Sequence, residues 1–286
     1  MSPTPALDPT WTCPNCVAIA TSSFCPSCGE RRIANGGHEA SRIRSRERHA
    51  PWFGRLLASL RALASPPGRL TAAWCRGRRV RYLAPLSFFL LTNVAFFIAQ
   101  SASGLGVLSW PLRAHLKQSW FGPLSSQLLA LYRPGTSVAG SAQEQVFDAL
   151  ESVHAKSLVI LMVPAFALAL RFVLAGRRVS FSECMSFALH VYTFALIWLC
   201  ALFPAAAIGL RLFVLAGGRV TPEGIDLVVS LLETGVIAWY IAVALVTVWH
   251  LPRWRSLGAT VLLVSVMSLL LRPYHFVVFA VTLFST

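Results

Sequence analysis

Residues 82–100 read YLAPLSFFLLTNVAFFIAQ, nineteen positions without a charge, and the stretch just before them, WCRGRRVR over 74–81, carries Arg76, Arg78, Arg79 and Arg81. A helix needs about 20 predominantly apolar residues to cross a hydrocarbon layer about 30 Å thick. The stretch therefore predicts a membrane span with a basic collar. Four more segments of that kind follow, at residues 157–175, 186–210, 227–249 and 257–284. The last contains Arg272-Pro273 and reads as one kinked, tilted helix, the alternative being a span that stops at Leu271 before an interfacial tail. The expected fold class is an all-α membrane protein: a five-helix transmembrane domain over 82–286 with a small N-terminal cytosolic zinc ribbon.

Composition agrees with this reading. Of the 286 residues 56% are hydrophobic and 13% charged, and 25 basic against 11 acidic side chains leave a net charge of +14. So much apolar content in unbroken runs excludes a disordered chain and argues against a soluble globule. Thirteen of the basic residues precede Tyr82, and the connections after the second and fourth spans hold Arg177, Arg178, Arg253 and Arg255. Residues 101–156 hold four basic side chains in 56 positions. The positive-inside rule then predicts a cytosolic N-terminus, an outward C-terminus and an outward 101–156 loop with a helix near 143–155. The expected location is a cytoplasmic membrane, crossed several times. No secretory signal peptide is visible, so the first span is expected to act as an uncleaved insertion signal.

Ahead of the spans, residues 1–12 read as disordered, 13–31 as a cysteine module, 32–50 as a basic linker, and 51–81 as a juxtamembrane amphipathic helix followed by a basic segment. In that helix Trp52, Phe53, Leu56, Leu57, Leu60 and Leu63 share one arc of about 140°. It is read either as lying flat at the membrane interface or as packing on the head or the bundle. Pro66-Pro67-Gly68 ends it.

Four of the seven cysteines form two C-x-x-C turns, Cys13-Pro14-Asn15-Cys16 and Cys25-Pro26-Ser27-Cys28. Each turn aims two thiolates at one point, and two turns complete a tetrahedral Cys₄ set, the closed geometry of structural zinc. A redox dithiol needs a βαβ surround, for which there is no room. With four sulfurs and no open position, the site has no place for a catalytic water. Structural zinc contributes about 10–16 kcal/mol in finger peptides, enough to fold a segment with no core of its own.

The arginines of the head and linker (Arg31, Arg32, Arg42, Arg44, Arg46 and Arg48) lack interleaved aromatics, which speaks against nucleic acid. With Arg76, Arg78, Arg79 and Arg81 they suit anionic lipid heads and the topology rule. Within the spans, Glu183, His190, Glu233 and Arg272 are the polar candidates. Glu183 is expected to cap a helix and His190 to hydrogen-bond between helices, while Glu233 and Arg272 fall at matching depths and are expected to form an ion pair.

Several motifs carry a resemblance. They are Phe24-Cys25-Pro26-Ser27-Cys28-Gly29-Glu30-Arg31, Pro67-Gly68-Arg69, the run Gly77-Arg78-Arg79-Val80-Arg81-Tyr82-Leu83-Ala84-Pro85, and Pro164-Ala165-Phe166-Ala167-Leu168. With them the chain resembles an uncharacterised bacterial family of multispan membrane proteins that carry an N-terminal CxxC…CxxC zinc ribbon, a domain of unknown function. Residues 183–194 are similar to a further family motif, with Cys184 and Tyr192 where members often have His. The resemblance implies the architecture and confers no activity. The expected function is a non-enzymatic scaffold or regulatory protein that presents a zinc ribbon to a cytosolic partner. The alternative is a transporter or permease-like protein with a polar path through Glu233, Arg272 and His190.

Overall fold

In the computed structural model of the chain, the described residues are 10–32, 51–103, 108–132, 142–218 and 221–285. The N-terminal nine residues and most of the basic linker, with Arg42, Arg44, Arg46 and Arg48, lie outside them. The head starts earlier than the cysteine spacing predicts. Strand β1 (Trp11–Thr12) pairs antiparallel with β2 (Ile19–Ala20), Trp11 opposite Ala20, and the Trp11 indole Nε1 donates to the Ser22 carbonyl at 2.7 Å. Trp11 and Thr12 are thus part of the head, because the first cysteine turn needs a partner strand on each side.

Ten α-helices follow among the described residues: α1 (Trp52–Ala64), α2 (Arg69–Cys75), α3 (Pro85–Ser103), α4 (Leu112–Lys117), α5 (Gly122–Tyr132), α6 (Ala142–Ser157), α7 (Met162–Val173), α8 (Phe181–Leu215), α9 (Pro222–Trp249) and α10 (Arg253–Ser285). Four of them, α3, α8, α9 and α10, are long and apolar enough to cross a membrane. A fifth span exists if Gln143–Ala155 and Leu158–Val173, which meet at a bend of 54°, are counted as one, the second arm joining a 3₁₀ turn at Leu158–Leu161 to α7. Helix α7 alone rises about 18 Å, short of the hydrocarbon layer. The second span expected over 157–175 falls on the second arm of this pair, and α6 supplies the arm beyond the bend.

The other boundaries also move. The first span opens at Pro85, which suits a first helical position because it has no N–H to leave unsatisfied. Helix α8 starts at a capping box, where the Ser180 hydroxyl receives the Glu183 N–H and the Glu183 carboxylate accepts the Ser180 N–H at 2.7 Å. Helix α10 runs through Pro273 as one continuous helix. On α3, Phe88, Phe89, Thr92, Phe96 and Gln100 are buried in one stripe, while Leu86, Leu90, Val94 and Ile98 are exposed on the opposite side. A helix apolar on its outer as well as its inner face fits lipid on the outside.

Helix α8 is the hub, packing against α2, α3, α7 and α9. Wedged between α8 and α9 is the α1–α2 hairpin. Gly68 lies against Ala244 of α9, and the Thr71 hydroxyl meets His190 Nδ1 of α8 at 2.8 Å. His190 is about 13 Å along α8 from its first residue. Of the two sequence readings of the amphipathic helix, packing on the bundle is the one seen. Ser59, Ala62 and Leu63 are buried against the bundle, and Trp52, Phe53 and Leu57 at the other end are exposed.

The 101–156 region is more than a loop with one helix. At the end of the bundle away from the head, α4, α5 and α6 form a cap on the last turns of α10, closed around Leu112, Leu129, Phe147, Phe279 and Leu283.

Candidate functional site

The two cysteine turns are built alike. The Cys13 carbonyl accepts from Val17 N–H and the Cys25 carbonyl from Gly29 N–H, both at 2.9 Å. Cys13 N–H donates to Ala18 and Cys25 N–H to Glu30, at 2.9 and 2.8 Å. Each turn closes with a left-handed residue, Gly29 at φ 72° and Val17 at φ 64°. Glycine adopts that conformation freely, whereas a β-branched valine is strained there, so the first turn is held against a local cost.

Across the turns, Cys13 Sγ lies 3.5 Å from Cys28 Sγ and Cys16 Sγ lies 3.4 Å from Cys25 Sγ. All four sulfurs fall within 4.8 Å of one another. A tetrahedral ion with metal–sulfur bonds of about 2.3 Å would hold its sulfurs about 3.8 Å apart. The cage has the size of a metal site, and these four cysteines could hold an ion. Burial pushes the Cys13 thiol up to about 12. Burial opposes ionisation at Cys25 too, but the N–H groups of Ser27 and Cys28 and the neighbouring sulfurs outweigh it and bring that thiol down to about 7. Cys75 stands apart in α2, its thiol pushed up to about 12 by burial and then by the Glu183 charge, and it takes no part in the cage.

The head is seated on the membrane domain. Glu30, 3% exposed, turns its Oε2 to the backbone N–H groups of Arg79 and Val80 at 2.9 and 3.1 Å. Arg78 Nε donates to the Pro14 carbonyl at 2.8 Å. The receiving turn is itself fixed from α1, where the Arg55 guanidinium donates to the Tyr82 carbonyl and the Ser59 hydroxyl accepts from Leu83 N–H. Arg76, Arg78, Arg79 and Arg81 are all exposed. Arg79 also lies over Trp74 and Arg81 over Tyr82. The sequence reading missed their second use as the seat of the head, because it depends on backbone N–H groups rather than on side-chain type. Glu30→Ala should remove two charge-assisted hydrogen bonds, worth about 2–4 kcal/mol of seating together. Hydrogen exchange at residues 76–83 is expected to speed up while the metal content of the protein is unchanged.

Of the polar candidates in the spans, Glu183 belongs to the α8 cap and His190 is held by Thr71. Glu233 and Arg272 both line a cavity of about 900 Å³ between α8, α9, α10 and the cap. The expected ion pair is not formed, since no contact within 4.0 Å joins them. Instead the Arg272 guanidinium lies 3.3 Å from the ring centre of Trp120, which the cap supplies. Matching depth along two helices did not account for this ring. His190 does not line the cavity, so the three residues proposed for a polar path do not share one space.

The cap holds polar groups that the sequence reading did not single out. Arg113 forms an ion pair with Glu144 at 2.7 Å. His115 Nε2 lies 3.4 Å from Glu151, both side chains buried, and Glu151 also accepts the Trp110 N–H at 3.0 Å. Trp110 stacks on His275 of α10 with ring centres 4.5 Å apart. Their separation in the chain, 36 residues from His115 to Glu151, left no local signal.

Residues 54–97 match the model of a family described as a protein of unknown function, DUF3667. The matched segment covers most of α1, α2, the turn that seats the head and most of α3, and the cysteine cage lies outside it. No curated protein and no solved structure matches the chain.

Proposed function

We propose that this chain is a bacterial inner-membrane scaffold or regulatory protein that holds structural zinc in its Cys13–Cys16–Cys25–Cys28 head and presents that head to a cytosolic protein partner. The observation that carries the reading is the four-sulfur cage seated by Glu30 on the turn that enters the first span. Zinc is favoured over other ions because an all-thiolate tetrahedral set in a minimal fold suits a d¹⁰ ion with no redox demand. The distribution of basic residues supports a cytosolic head and an outward C-terminus, and the arginine collar supports contact with anionic lipid heads.

The partner-facing surface would include Val17 and Ile19, both 73% exposed on the head. The test is purification of the full chain with mild cross-linking, followed by metal analysis. One zinc per chain and a cytosolic protein that is lost in Cys25→Ser, with the membrane domain intact, are expected. A head that binds no metal, or the same partner recovered with Cys25→Ser, would count against the reading.

A further inference from the structure

The cavity beneath the cap is independent of the cysteine head and has an uneven chemistry. Its wall is apolar where Leu196 and Leu199 of α8 face Met267 and Leu271 of α10. Its polar lining includes one carboxylate, Glu233, one guanidinium, Arg272, and the His275 ring that stacks on Trp110. Ser230 and Ser268, on the lining at positions within the spans, are exposed at the helix surface. The cavity is thus a cleft open to the surface at these serines, and Leu231 and Leu269, their neighbours in the chain, are exposed.

Two observations call for a ligand. An acid and a base within membrane-spanning helices are costly unless each finds an opposite charge. These two share a cleft yet lie beyond 4.0 Å of each other, and Trp120 offers Arg272 only the face of a ring. The second is Tyr192, 3% exposed and part of the lining, whose hydroxyl is buried without a hydrogen-bond partner. A ligand that fits carries one negative and one positive group at one end, an acceptor farther in, and an apolar remainder. About 900 Å³ is at the upper end of small-ligand sites, roughly 300–1,000 Å³, so a headgroup and the first part of its chains fit with the rest in the bilayer.

We propose that this cleft binds a phospholipid with a zwitterionic phosphate–ammonium headgroup, its phosphate on Arg272, its ammonium on Glu233 and its chains along the Leu196–Leu199 and Met267–Leu271 wall. A guanidinium suits a phosphate oxygen pair, and a carboxylate suits a primary ammonium with three N–H donors. An anionic lipid without the amine would leave Glu233 with no cation to pair with.

The test is native mass spectrometry of the full chain in detergent, with phosphatidylethanolamine and phosphatidylglycerol of the same acyl composition in competition. Retention of one phosphatidylethanolamine per chain, preferred by about tenfold or more, is expected. Glu233→Gln should bring that preference close to one, and Arg272→Gln should weaken both lipids by about tenfold or more. Equal retention of the two lipids by the unaltered chain overturns the proposal without any variant. So does displacement of the lipid by soluble glycerophosphoethanolamine at equal concentration, which would make the ligand a soluble zwitterion. Well-folded variants that bind both lipids like the unaltered chain overturn it as well.

Discussion

Lowering the pH from 8 to 6 is expected to strip the metal from the cysteine head and unfold it. Metal binds thiolates, so each sulfur that carries a proton at a given pH must release it. Burial holds the Cys13 thiol up near 12. At Cys16 the Ala18 N–H favours the thiolate, but burial and the sulfurs of Cys25 and Cys28 prevail and raise that thiol too. Cys25, near 7, is ionised at pH 8 and becomes protonated below 7. At least two protons therefore leave for each ion bound, and affinity should fall by about a hundredfold per pH unit near pH 8 and more steeply below 7. The sign is fixed: acid removes metal, and alkali favours it. The head has two short strands and no apolar cluster of its own among the described residues, so loss of the ion should leave it without order. The readout is metal retained against a competing chelator, followed across pH, with hydrogen exchange over residues 11–32. Retention that is flat between pH 6 and 8 would contradict the four-thiolate assignment.

The second large effect is expected from a single methyl group. At Gly68 a Cβ would sit 2.7 Å from the Ala244 Cα and 2.9 Å from its carbonyl oxygen, both backbone atoms of α9. The residue also has φ 83°, in the left-handed region. Gly68→Ala should therefore combine the conformational cost with overlap that no side-chain rotation relieves, about 2–5 kcal/mol together. Gly176 supplies the control, because its φ is 88° and its Cβ would meet nothing within 4 Å. Gly176→Ala should cost only the conformational part, about 1 kcal/mol. Thermal stability and yield in detergent should fall sharply for the first variant and slightly for the second. Equal behaviour of the two would mean that the hairpin does not pack against α9 as described.

Why some of this was legible in the sequence and some was not follows from the range of the interactions. The cysteine cage was legible because its geometry depends on spacings of three and nine residues within one short segment. The helices α3, α8, α9 and α10 were legible because absence of charge over a membrane's thickness is a one-dimensional property. Their ends were not. Helix α3 waits for Pro85 because residues 79–83 are committed to Glu30, Arg55 and Ser59, up to 50 positions away. The bend between α6 and α7 falls between Ala155 and Leu158, where no proline or glycine announces it. The depth of Glu233 and Arg272 could be counted along their helices, but not the direction in which each points, nor Trp120 arriving from a separate element. Of the cap only α6 was legible, as the helix near 143–155; α4 and α5 are short, and the polar residues pair across tens of positions.

One consequence of the Glu30 seat concerns reciprocity. The two amides it holds belong to Arg79 and Val80, five and more residues ahead of the helix that opens at Pro85. Free energy shared between two parts of a molecule works equally in both directions. If an occupied cage steadies that turn, then any displacement of α3 within the bilayer must alter how tightly the cage retains its ion, and by the same factor. Lipid composition and metal availability would then be two inputs to one equilibrium.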